Sequence, residues 1–539
     1  MKKIFTLVLV ATSAISAMAV DYTEKIAVYL NGNQMGTPAT TTVTVNKTDD
    51  GKYSLQLKNF VLMGGAIKVG NINLTGVNGT ECGIVTAISS QQTIKIENGD
   101  EGSGWQGPLL GDVPVMMDGQ IRNGRLNAVL SIDMAAMGQM VLVELGDKAA
   151  EIGQIPNSGF EDFHKAKYVS MDGANEAESD EPNGWHAFNS GYINTADPMA
   201  ALYETALYSK DTHISDEVRP GSTGKKSVQI TSDMVLGFVA ANGTMTTGRL
   251  QAGSYTPTDA ANCSFLDMSK TDVDGNGDPF YTVLTSKPDS IAVWVKFKQG
   301  TLADENKDYK FATVSAIITD GTYYQDPQDK DDYKNVVAKA QNKEIESKDF
   351  AWQRISVPFD YATYAADDAE AKALLVTLST NAQPGVGSTD ATNPDQLFVD
   401  DIQLVYNAGL ASLKVKGQNV ELNGGSDYTV EGVSGELSAN DIEVASDGQG
   451  AYITKTLTQN GSDVNVRIAI TSNDLRTTNV YNLTVKGTTV TGINNPVSTA
   501  NGKAVAVFTI DGKRVTGMNT KGLYIVRYAD GKTVKVVKK

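Results

Sequence analysis

The sequence is poor in the side chains that most often bind transition metals or form disulfides. Only 3 His occur among the 539 residues, and they are His164, His186 and His213. A His-rich metal centre is therefore excluded, and any chemistry that needs His must lie between residues 164 and 213. The 2 Cys, Cys82 and Cys263, form no CxxC pair. They signal neither a zinc site nor a disulfide framework, and we expect both thiols to be buried and unpaired.

Positive charge is also scarce, since 46 Lys and Arg stand against 63 Asp and Glu and give a net charge of −17. Phosphate binding needs a basic face, so nucleic acid is excluded as the main partner. After the first residues no apolar run approaches the length that spans a bilayer, so the mature chain is expected to have no transmembrane segment. Gly-x-Ser-x-Gly, HExxH and Walker motifs are also absent from the sequence.

The N-terminus has the three parts of a signal peptide. Lys2 and Lys3 precede a mostly apolar stretch, Ile4 to Ile15, and Ala17-Met18-Ala19 supplies the small residues of a cleavage site. We expect residues 1–19 to be removed. The mature protein is then exported to the cell surface or the medium, with the periplasm as the alternative.

Most of the chain alternates apolar and polar residues with period two, which indicates β-strands with one buried face. Clear examples are residues 53–58, 291–297 and 464–470. Asn-Gly and Asp-Gly pairs between such runs predict hairpin turns at residues 31–32, 78–79, 98–99, 123–124, 423–424 and 511–512. Helical signal is limited to residues 367–375, which could form two turns, and 333–345, which could be helical or extended. The chain is predicted to be all-β, with about three or four domains for its length.

Residues 20–150 form the first predicted module. The run YSLQLKNFVLMGGAIKVGNINLTGV, Tyr53 to Val77, resembles the calycin-like β-barrel domain of exported proteins from Bacteroides-type bacteria. The resemblance implies a barrel that can hold a small apolar ligand. Alternatively, methionines fill or cap the interior, because Met packs irregular gaps well; these are Met63, Met116, Met117, Met134, Met137 and Met140.

Residues 151–407 form the second predicted module. It opens with IPNSGFEDF (Ile155 to Phe163) and EPNGWHAFNS (Glu181 to Ser190), and closes with DQLFVDDIQLVY (Asp395 to Tyr406). These runs are similar to the family called the putative carbohydrate metabolism domain and to β-jelly-roll carbohydrate-binding modules. The resemblance implies a jelly-roll that binds a glycan or glycoconjugate.

Sugar sites stack pyranose rings on exposed aromatic side chains. The candidates in loop-like sequence are Trp185, His186, Tyr192, Tyr203, Tyr323 and Tyr324. For Trp185 the alternative is packing at the start of the domain. His164 and His186 could also form an acid–base pair with the acidic residues Asp162 and Asp180, although a surface role is the simpler interpretation.

Two places could hold a structural calcium ion. The first half of an EF-hand loop is matched by Asp272, Asp274, Asn276 and Asp278, but position twelve is Val283 where a Glu is needed, and a hydrated turn is the alternative. In jelly-roll modules an ion often joins the first and last strands, where Glu161 could pair with Asp400 or Asp401. Alternatively, Glu161 caps backbone amides.

Two shorter modules follow. Residues 408–490 contain short strands with Gly turns and resemble the small immunoglobulin-like or cadherin-like sandwiches that space bacterial surface modules. Residues 491–539 resemble the C-terminal sorting domain of the type IX secretion system, through the Asp511-Gly512-Lys513 turn, the Lys521 to Val526 strand and the terminal Lys538 and Lys539. That resemblance implies recognition by the secretion machinery.

The function that these features favour is binding of a glycan or glycoconjugate by the second module, with the barrel as a second pocket or a protein contact. A structural or adhesion protein without a small-molecule site is the alternative. A glycan hydrolase is less favoured, since it needs two suitably spaced carboxylates, and among 63 acidic residues some pair always looks suitable.

Overall fold

The computed structural model describes residues 19–62, 65–330, 333–490, 504–509, 513–515, 522–528 and 533–538. The predicted signal peptide lies outside these residues apart from Ala19, and so do Met63, residues 491–503, the Asp511-Gly512 pair, Lys521 and Lys539. Strands are the main secondary structure of the described chain and its helices are short, so the predicted all-β fold class is confirmed. It divides into two compact units. The first holds the residues up to Asn407 together with 448–450 and 472–478, and the second holds 408–447, 451–471 and the residues from Asn479 onward.

The first unit begins with a closed antiparallel barrel. Its strands are β1 (Val20–Leu30), β2 (Asn33–Gln34), β3 (Ala39–Lys47), β4 (Tyr53–Leu62), β5 (Ile67–Cys82), β6 (Val85–Lys95), β7 (Asp112–Arg122), β8 (Arg125–Met134) and β9 (Gln139–Leu145). Except for the short β2, they pair in chain order, and β1 also pairs with β9 to close the sheet. Closure leaves neither β1 nor β9 as an open edge.

Gly has different roles at two Asn-Gly pairs of the barrel that were predicted to form turns. Asn123 and Gly124 have φ of 50° and 71° and form the tight turn between β7 and β8, as predicted. Asn78 and Gly79 instead lie inside β5, where Gly79 pairs with Ile88. A Cβ atom on Gly79 would stand 2.1 Å from the Tyr53 ring, so this Gly makes room for an aromatic side chain.

The barrel interior is filled by aliphatic side chains. The cavity left inside is about 30 Å³, little more than the room for one water molecule. The methionine prediction is confirmed in part, because Met117 and Met134 contact this core. Met116 is buried outside the core cluster, Met140 is half-buried and Met137 is exposed.

The rest of the first unit is a β-sandwich with three smaller sheets. Its strands are β10 (Phe163–Val169), β11 (Glu176–Pro182), β12 (Thr212–Ser215), β13 (Ser227–Thr231), β14 (Asp233–Val235), β15 (Val239–Ala241), β16 (Thr244–Thr246), β17 (Arg249–Gln251), β18 (Cys263–Phe265), β19 (Thr282–Val283), β20 (Ser290–Lys298), β21 (Ala312–Thr319), β22 (Gln325–Asp326), β23 (Val336–Ile345), β24 (Gln353–Pro358), β25 (Ala373–Ser379) and β26 (Gln396–Val405). One large sheet has the order β12-β13-β26-β20-β24. The other has the order β16-β25-β21-β23, with β19 also paired to β25.

Apolar residues that alternate along the central strands form the core between the two large sheets. Val293 and Val295 of β20 meet Val314 of β21 and Val376 of β25 in one buried cluster. The outer face of β21 and β25 packs in part against the barrel, where Tyr281 donates a hydrogen bond to the carbonyl oxygen of Cys82. Residues 291–297, which were predicted to form a strand, lie in β20. The shared apolar cluster and the Tyr281 hydrogen bond show that the barrel contacts the sandwich directly.

Helices in the described residues are short. They are the α-helix α1 (Ala200–Tyr203) and 3-10 turns at Gly107–Leu110, Ala135–Met137, Ala149–Glu151, Phe188–Ser190, Glu204–Tyr208, Asp304–Asn306, Ala365–Asp367 and Ala439–Asp441. The predicted two-turn helix over residues 367–375 is wrong, because its last residues begin β25, whose neighbours in the sheet override local helix propensity. Of the two options for residues 333–345 the extended one is observed, as β23.

The second unit contains β27 (Leu410–Val415), β28 (Gln418–Asn419), β29 (Asp427–Val430), β30 (Gly435–Leu437), β31 (Ile442–Ser446), β32 (Tyr452–Asn460), β33 (Asp463–Thr471), β34 (Thr478–Val485) and β35 (Thr488–Val490). Their sheets enclose one apolar core, which includes Val466 and Ile468. The β29–β34 and β30–β35 pairs are parallel. After residue 503 the described strands are β36 (Ala504–Thr509), β37 (Arg514–Val515), β38 (Gly522–Tyr528) and β39 (Thr533–Lys538), in the antiparallel order β37-β36-β38-β39.

Candidate functional site

A cleft of about 310 Å³ opens on the outer face of the sheet β16-β25-β21-β23. Its floor is a set of hydroxyl side chains from adjacent strands. Thr244 of β16 lies opposite Ser379 of β25, and Ser379 lies opposite Thr313 of β21. The next pair along the same face is Thr377 and Ser315. Since side chains two residues apart point to one face of a strand, the floor forms a grid of hydroxyl groups.

The hydroxyl groups are joined to polar neighbours at the end of the cleft formed by β18 and β22. The Oγ atoms of Ser264 and Thr377 lie 2.7 Å apart, Ser315 donates a 2.8 Å hydrogen bond to Oδ2 of Asp326, and Gln341 donates one of 2.9 Å to Ser315. Cys263 also lines this end, and burial, followed by the charges of Asp329 and Asp326, raises the pKa of its thiol to about 12. The thiol is thus neutral at physiological pH.

The walls of the cleft come from loops and short elements. Tyr203 of α1 and Tyr255 meet edge to face, with ring centroids 5.3 Å apart, and both line the cleft. Tyr255 is 39% exposed, so part of its ring is open to a ligand. The hairpin β14–β15 and the Pro384-Gly385 segment complete the rim. Gly385 has φ of 79° and lies so close to Pro257 that a Cβ atom would clash, which explains the glycine at this position.

The wall that carries Tyr255 is fixed by a single amide side chain. The Oδ1 atom of Asn262 accepts hydrogen bonds from the backbone N–H groups of Gly253 and Ser254, both at 3.0 Å. Its Nδ2 atom donates to the carbonyl oxygens of Ser254 and Thr256. All four hydrogen-bonding positions of the amide hold one loop, which positions the Tyr255 ring.

Three of the aromatic residues predicted to bind a sugar are fully buried: Trp185, His186 and Tyr324. Trp185 packs against Phe160 and donates a 3.3 Å hydrogen bond to the carbonyl oxygen of Pro156. Tyr324 packs between the sandwich and the barrel. A buried ring cannot stack on a sugar that arrives from solvent, so these three do not form the predicted exposed face.

Of the other three predicted residues, Tyr203 lines the cleft, whereas Tyr192 and Tyr323 are exposed and lie near each other. Tyr192 and Tyr323 are 37% and 50% exposed, and each ring centroid is 6.0 Å from that of Phe265. The guanidinium of Arg249 covers the Tyr192 ring at 5.4 Å. These residues are not among those that line the cleft. They form a separate small aromatic surface, which is the second candidate sugar site.

His186 belongs to a buried polar cluster that the sequence did not reveal as a unit. Nε2 of His186 lies 3.3 Å from Oδ2 of Asp274, and Nε2 of His164 lies 3.4 Å from the same oxygen. Burial alone would raise the pKa of Asp274, but His186 and other partners hold it below its usual value. Burial raises the pKa of the neighbouring Glu181. The partner of both imidazoles is therefore Asp274, and not the sequence neighbours Asp162 and Asp180.

The residues of the EF-hand-like run point to different partners. Asp272 pairs with Arg249, Asp278 pairs with Arg122 at 3.3 Å, and Oδ1 of Asp274 accepts hydrogen bonds from the backbone N–H groups of Asn276 and Asp278. The Nδ2 atom of Asn276 donates to Asp278. These side-chain oxygens do not converge on one centre, so the run forms a hydrogen-bonded turn instead of a calcium loop.

At the second predicted calcium site, the carboxylates are hydrogen-bonded or ion-paired to other groups of the protein. Oε1 of Glu161 accepts hydrogen bonds from the backbone N–H groups of Lys225 and Lys226, which is the capping alternative. Asp400 accepts one from the backbone N–H of Arg219, and Asp401 pairs with the Arg219 guanidinium at 2.5 Å. Burial raises the pKa of Asp400. Within the described ranges, no group of three or more His, Cys, Asp or Glu side chains could hold a metal ion.

Comparison with known proteins finds one family match. Residues 18–145 match the model of the calycin-like beta-barrel domain, which agrees with the resemblance seen in the sequence and with the closed barrel. The match covers less than half of the chain. A search of curated proteins finds no match.

Similar solved structures include a "putative glycoside hydrolase" from Bacteroides thetaiotaomicron, with 15% identity and a TM-score of 0.30. The likeness covers 55% of this chain and 87% of that one. Another is a "putative outer membrane protein" from Bacteroides fragilis, with 10% identity and a TM-score of 0.16, covering 67% of this chain and 96% of that one. At these TM-scores neither likeness supports a conclusion about this chain.

Sequence reasoning missed the cleft floor and Tyr255. Thr313 and Ser315, or Thr377 and Ser379, look like the solvent-facing half of an ordinary strand. Only the register between β21 and β25 places them side by side. Two features of the sequence could have drawn attention to this part of the fold, namely Asp326 and the Gly-rich run that begins at Pro384.

Proposed function

We propose that the chain binds a carbohydrate or glycoconjugate in the cleft of the sandwich. The observation that carries this proposal is the grid of hydroxyl side chains on the cleft floor, flanked by the partly exposed ring of Tyr255. Hydroxyl groups both donate and accept hydrogen bonds, as sugar hydroxyl groups do, and an aromatic ring covers the apolar C–H face of a pyranose.

The charge of the cleft fits binding better than hydrolysis. Asp326 is the carboxylate among the described lining residues, and it already accepts a hydrogen bond from Ser315. Hydrolysis of a glycosidic bond ordinarily uses two carboxylates about 5–10 Å apart. A neutral, hydroxyl-rich floor recognises a sugar without activating a water molecule.

The site of action in this proposal is outside the cytoplasm. It rests on the N-terminal signal-like segment and on the resemblance of the last residues to a type IX sorting domain, whose partner would be the secretion machinery. In the part of the chain that the structure describes, no helix has both the length and the apolar character needed to span a bilayer.

The test is a glycan-array screen of the full mature chain, followed by calorimetric titration of the best glycan. Tyr255→Ala removes a cleft ring and is expected to weaken binding about tenfold, or about 1.4 kcal/mol. Thr377→Val keeps the shape but removes a floor hydroxyl, and about a fivefold loss is expected for one hydrogen bond of about 1 kcal/mol. Tyr323→Ala is the matched control, because it removes an exposed Tyr that does not line the cleft.

Each other result has a distinct meaning. If only Tyr323→Ala weakens binding, the sugar site is the Tyr192–Phe265–Tyr323 surface and the cleft assignment is wrong. If no glycan binds the folded chain, the carbohydrate proposal fails and the adhesion alternative takes its place. Release of reducing sugar from the bound glycan would instead establish hydrolysis.

A further inference from the structure

The cleft has two chemically different sides. The floor carries hydroxyl groups, as described above, whereas part of the wall is aliphatic. Leu202 of α1 and three residues of the β14–β15 hairpin, Val235, Leu236 and Val239, supply this wall. A site for a simple sugar needs polar partners around most of the ring, so an aliphatic wall of this extent requires a different explanation.

The apolar wall continues out of the cleft at the hairpin tip. Phe238 is 70% exposed and Leu236 is 47% exposed, in a turn where polar residues and Gly are usual. Leu236 also has φ of 53°, in the left-handed region that a branched side chain rarely occupies. Strained residues of this kind concentrate at ligand sites, and the conformation here presents Leu236 to the cleft.

We propose that the ligand is amphiphilic: a glycoside that carries an aliphatic chain. The sugar ring lies on the hydroxyl floor beside Tyr255, and the chain runs along Leu202, Val235 and Val239 and leaves the cleft past Leu236 and Phe238. This inference rests on the proposed carbohydrate function and specifies the class of glycoconjugate. It accounts for both the aliphatic wall and the exposed tip, because each would be covered when such a ligand is bound.

The experiment compares methyl, hexyl and octyl β-D-glucosides and β-D-galactosides, titrated into the full mature chain below their critical micelle concentrations. Burial of one methylene contributes about 0.8 kcal/mol, which is about fourfold in affinity. We therefore expect affinity to rise by about two- to fourfold per methylene that reaches the wall. The methyl glycosides report the sugar site alone.

Three variants separate the two sides of the cleft. The variant Phe238→Ser, at a residue that does not line the cleft, is expected to reduce the dependence on chain length while leaving methyl glycoside binding unchanged. Thr377→Val is expected to weaken every member of the series about fivefold. Leu109→Ser is the matched control, since Leu109 is 78% exposed on the barrel and its loss should change nothing.

The outcomes distinguish this inference from the proposed function. Equal affinity for the methyl and octyl glycosides overturns the amphiphile and leaves carbohydrate binding standing. Absence of octyl glycoside binding, with a glycan still bound on the array, does the same. If 1-octanol binds as tightly as the octyl glycosides and the array is silent, the proposed function fails and the glycoside inference fails with it.

Discussion

The barrel and the sandwich cleft are both built on antiparallel β-sheets, but the barrel fills the space that its sheet encloses, whereas the sandwich leaves a cleft open on one face of a sheet. The barrel encloses about 30 Å³ lined by aliphatic side chains, Phe60 and Met117, whereas the cleft offers about 310 Å³ over a hydroxyl floor. The barrel is the part with a family match, yet the room for a ligand is in the sandwich. A recognisable fold and a candidate binding site can therefore occupy different parts of one chain.

The barrel interior is filled and the cleft is open because the barrel sheet is closed on itself, whereas the cleft sheet is not. Every inward side chain of the closed barrel faces other inward side chains, so aliphatic residues such as Leu74 and Val143 fill the interior. The sheet that bears the cleft has its main core on one side. Its other face packs in part against the barrel and elsewhere carries the hydroxyl side chains of the floor, and loops border this part without filling it.

Leu74→Ala tests the barrel side of this comparison and should have the largest effect. Leu74 is buried at the edge of the small cavity, and enlargement of that cavity is expected to lower the free energy of unfolding by about 2–5 kcal/mol. Urea unfolding followed by fluorescence measures the loss, and glycan affinity under native conditions should not change. Exposed Leu109 gives the control, since Leu109→Ala should stay within about 0.5 kcal/mol. Reduced glycan binding by the folded Leu74→Ala protein would move the site to the barrel.

Asp118→Asn tests whether a buried carboxyl group of the barrel, and not a group of the cleft, makes the stability of the protein depend on pH. Burial, and then the charge of Asp474, raises the pKa of Asp118 to about 7. Because this is above the unfolded value, the neutral form favours the folded state. That contribution is complete below about pH 4 and is lost as the pH rises through about 7. The melting temperature of the parent should fall between pH 5 and pH 8 by more than that of Asp118→Asn.

The control for that measurement is Asp112→Asn, because Asp112 is an exposed residue at the start of the same strand. The difference between parent and Asp112→Asn should be constant across the pH range. Parallel pH profiles for the parent and Asp118→Asn would contradict the assignment.

Ser315→Ala tests the cleft side and should have the smallest effect on stability. It removes the donor to Asp326 and the acceptor for Gln341, and about 1 kcal/mol or less of unfolding free energy is expected to be lost. Glycan affinity should fall about fivefold. Unchanged affinity together with unchanged stability would mean that the ligand does not reach this end of the floor.

The fold was largely predictable from local pattern. Period-two alternation located strands such as β20 and β33 because the apolar half of each strand packs into a core. The closed barrel was implied by resemblance, and the buried, unpaired state of Cys82 and Cys263 is confirmed. The failures were local motifs whose outcome depends on distant partners. Residues 373–375 became strand because β21 pairs with them, and Gly79 packs on Tyr53 instead of turning the chain.

The site was much less predictable, for the same reason. Asp272 and Asp401 have the oxygen atoms that calcium prefers, but each meets an Arg that lies tens or hundreds of positions away along the chain. Likewise Trp185 has the chemistry of a sugar platform and the position of a core residue. A sequence shows which functional groups are present. Without the register of the paired strands, it does not show which of these groups lie close together.

The position of β26 has a consequence for the folding of the newly synthesised chain and for where the chain can be truncated. This strand lies between β13 and β20, although both are synthesised long before it. Until Val405 leaves the ribosome, two apolar strands of the nascent sandwich lack their common neighbour and present open edges. Expression fragments that contain β13 and β20 but stop before residue 405 should therefore aggregate. Fragments that continue past residue 405 can complete this sheet, which lies opposite the sheet that carries the cleft.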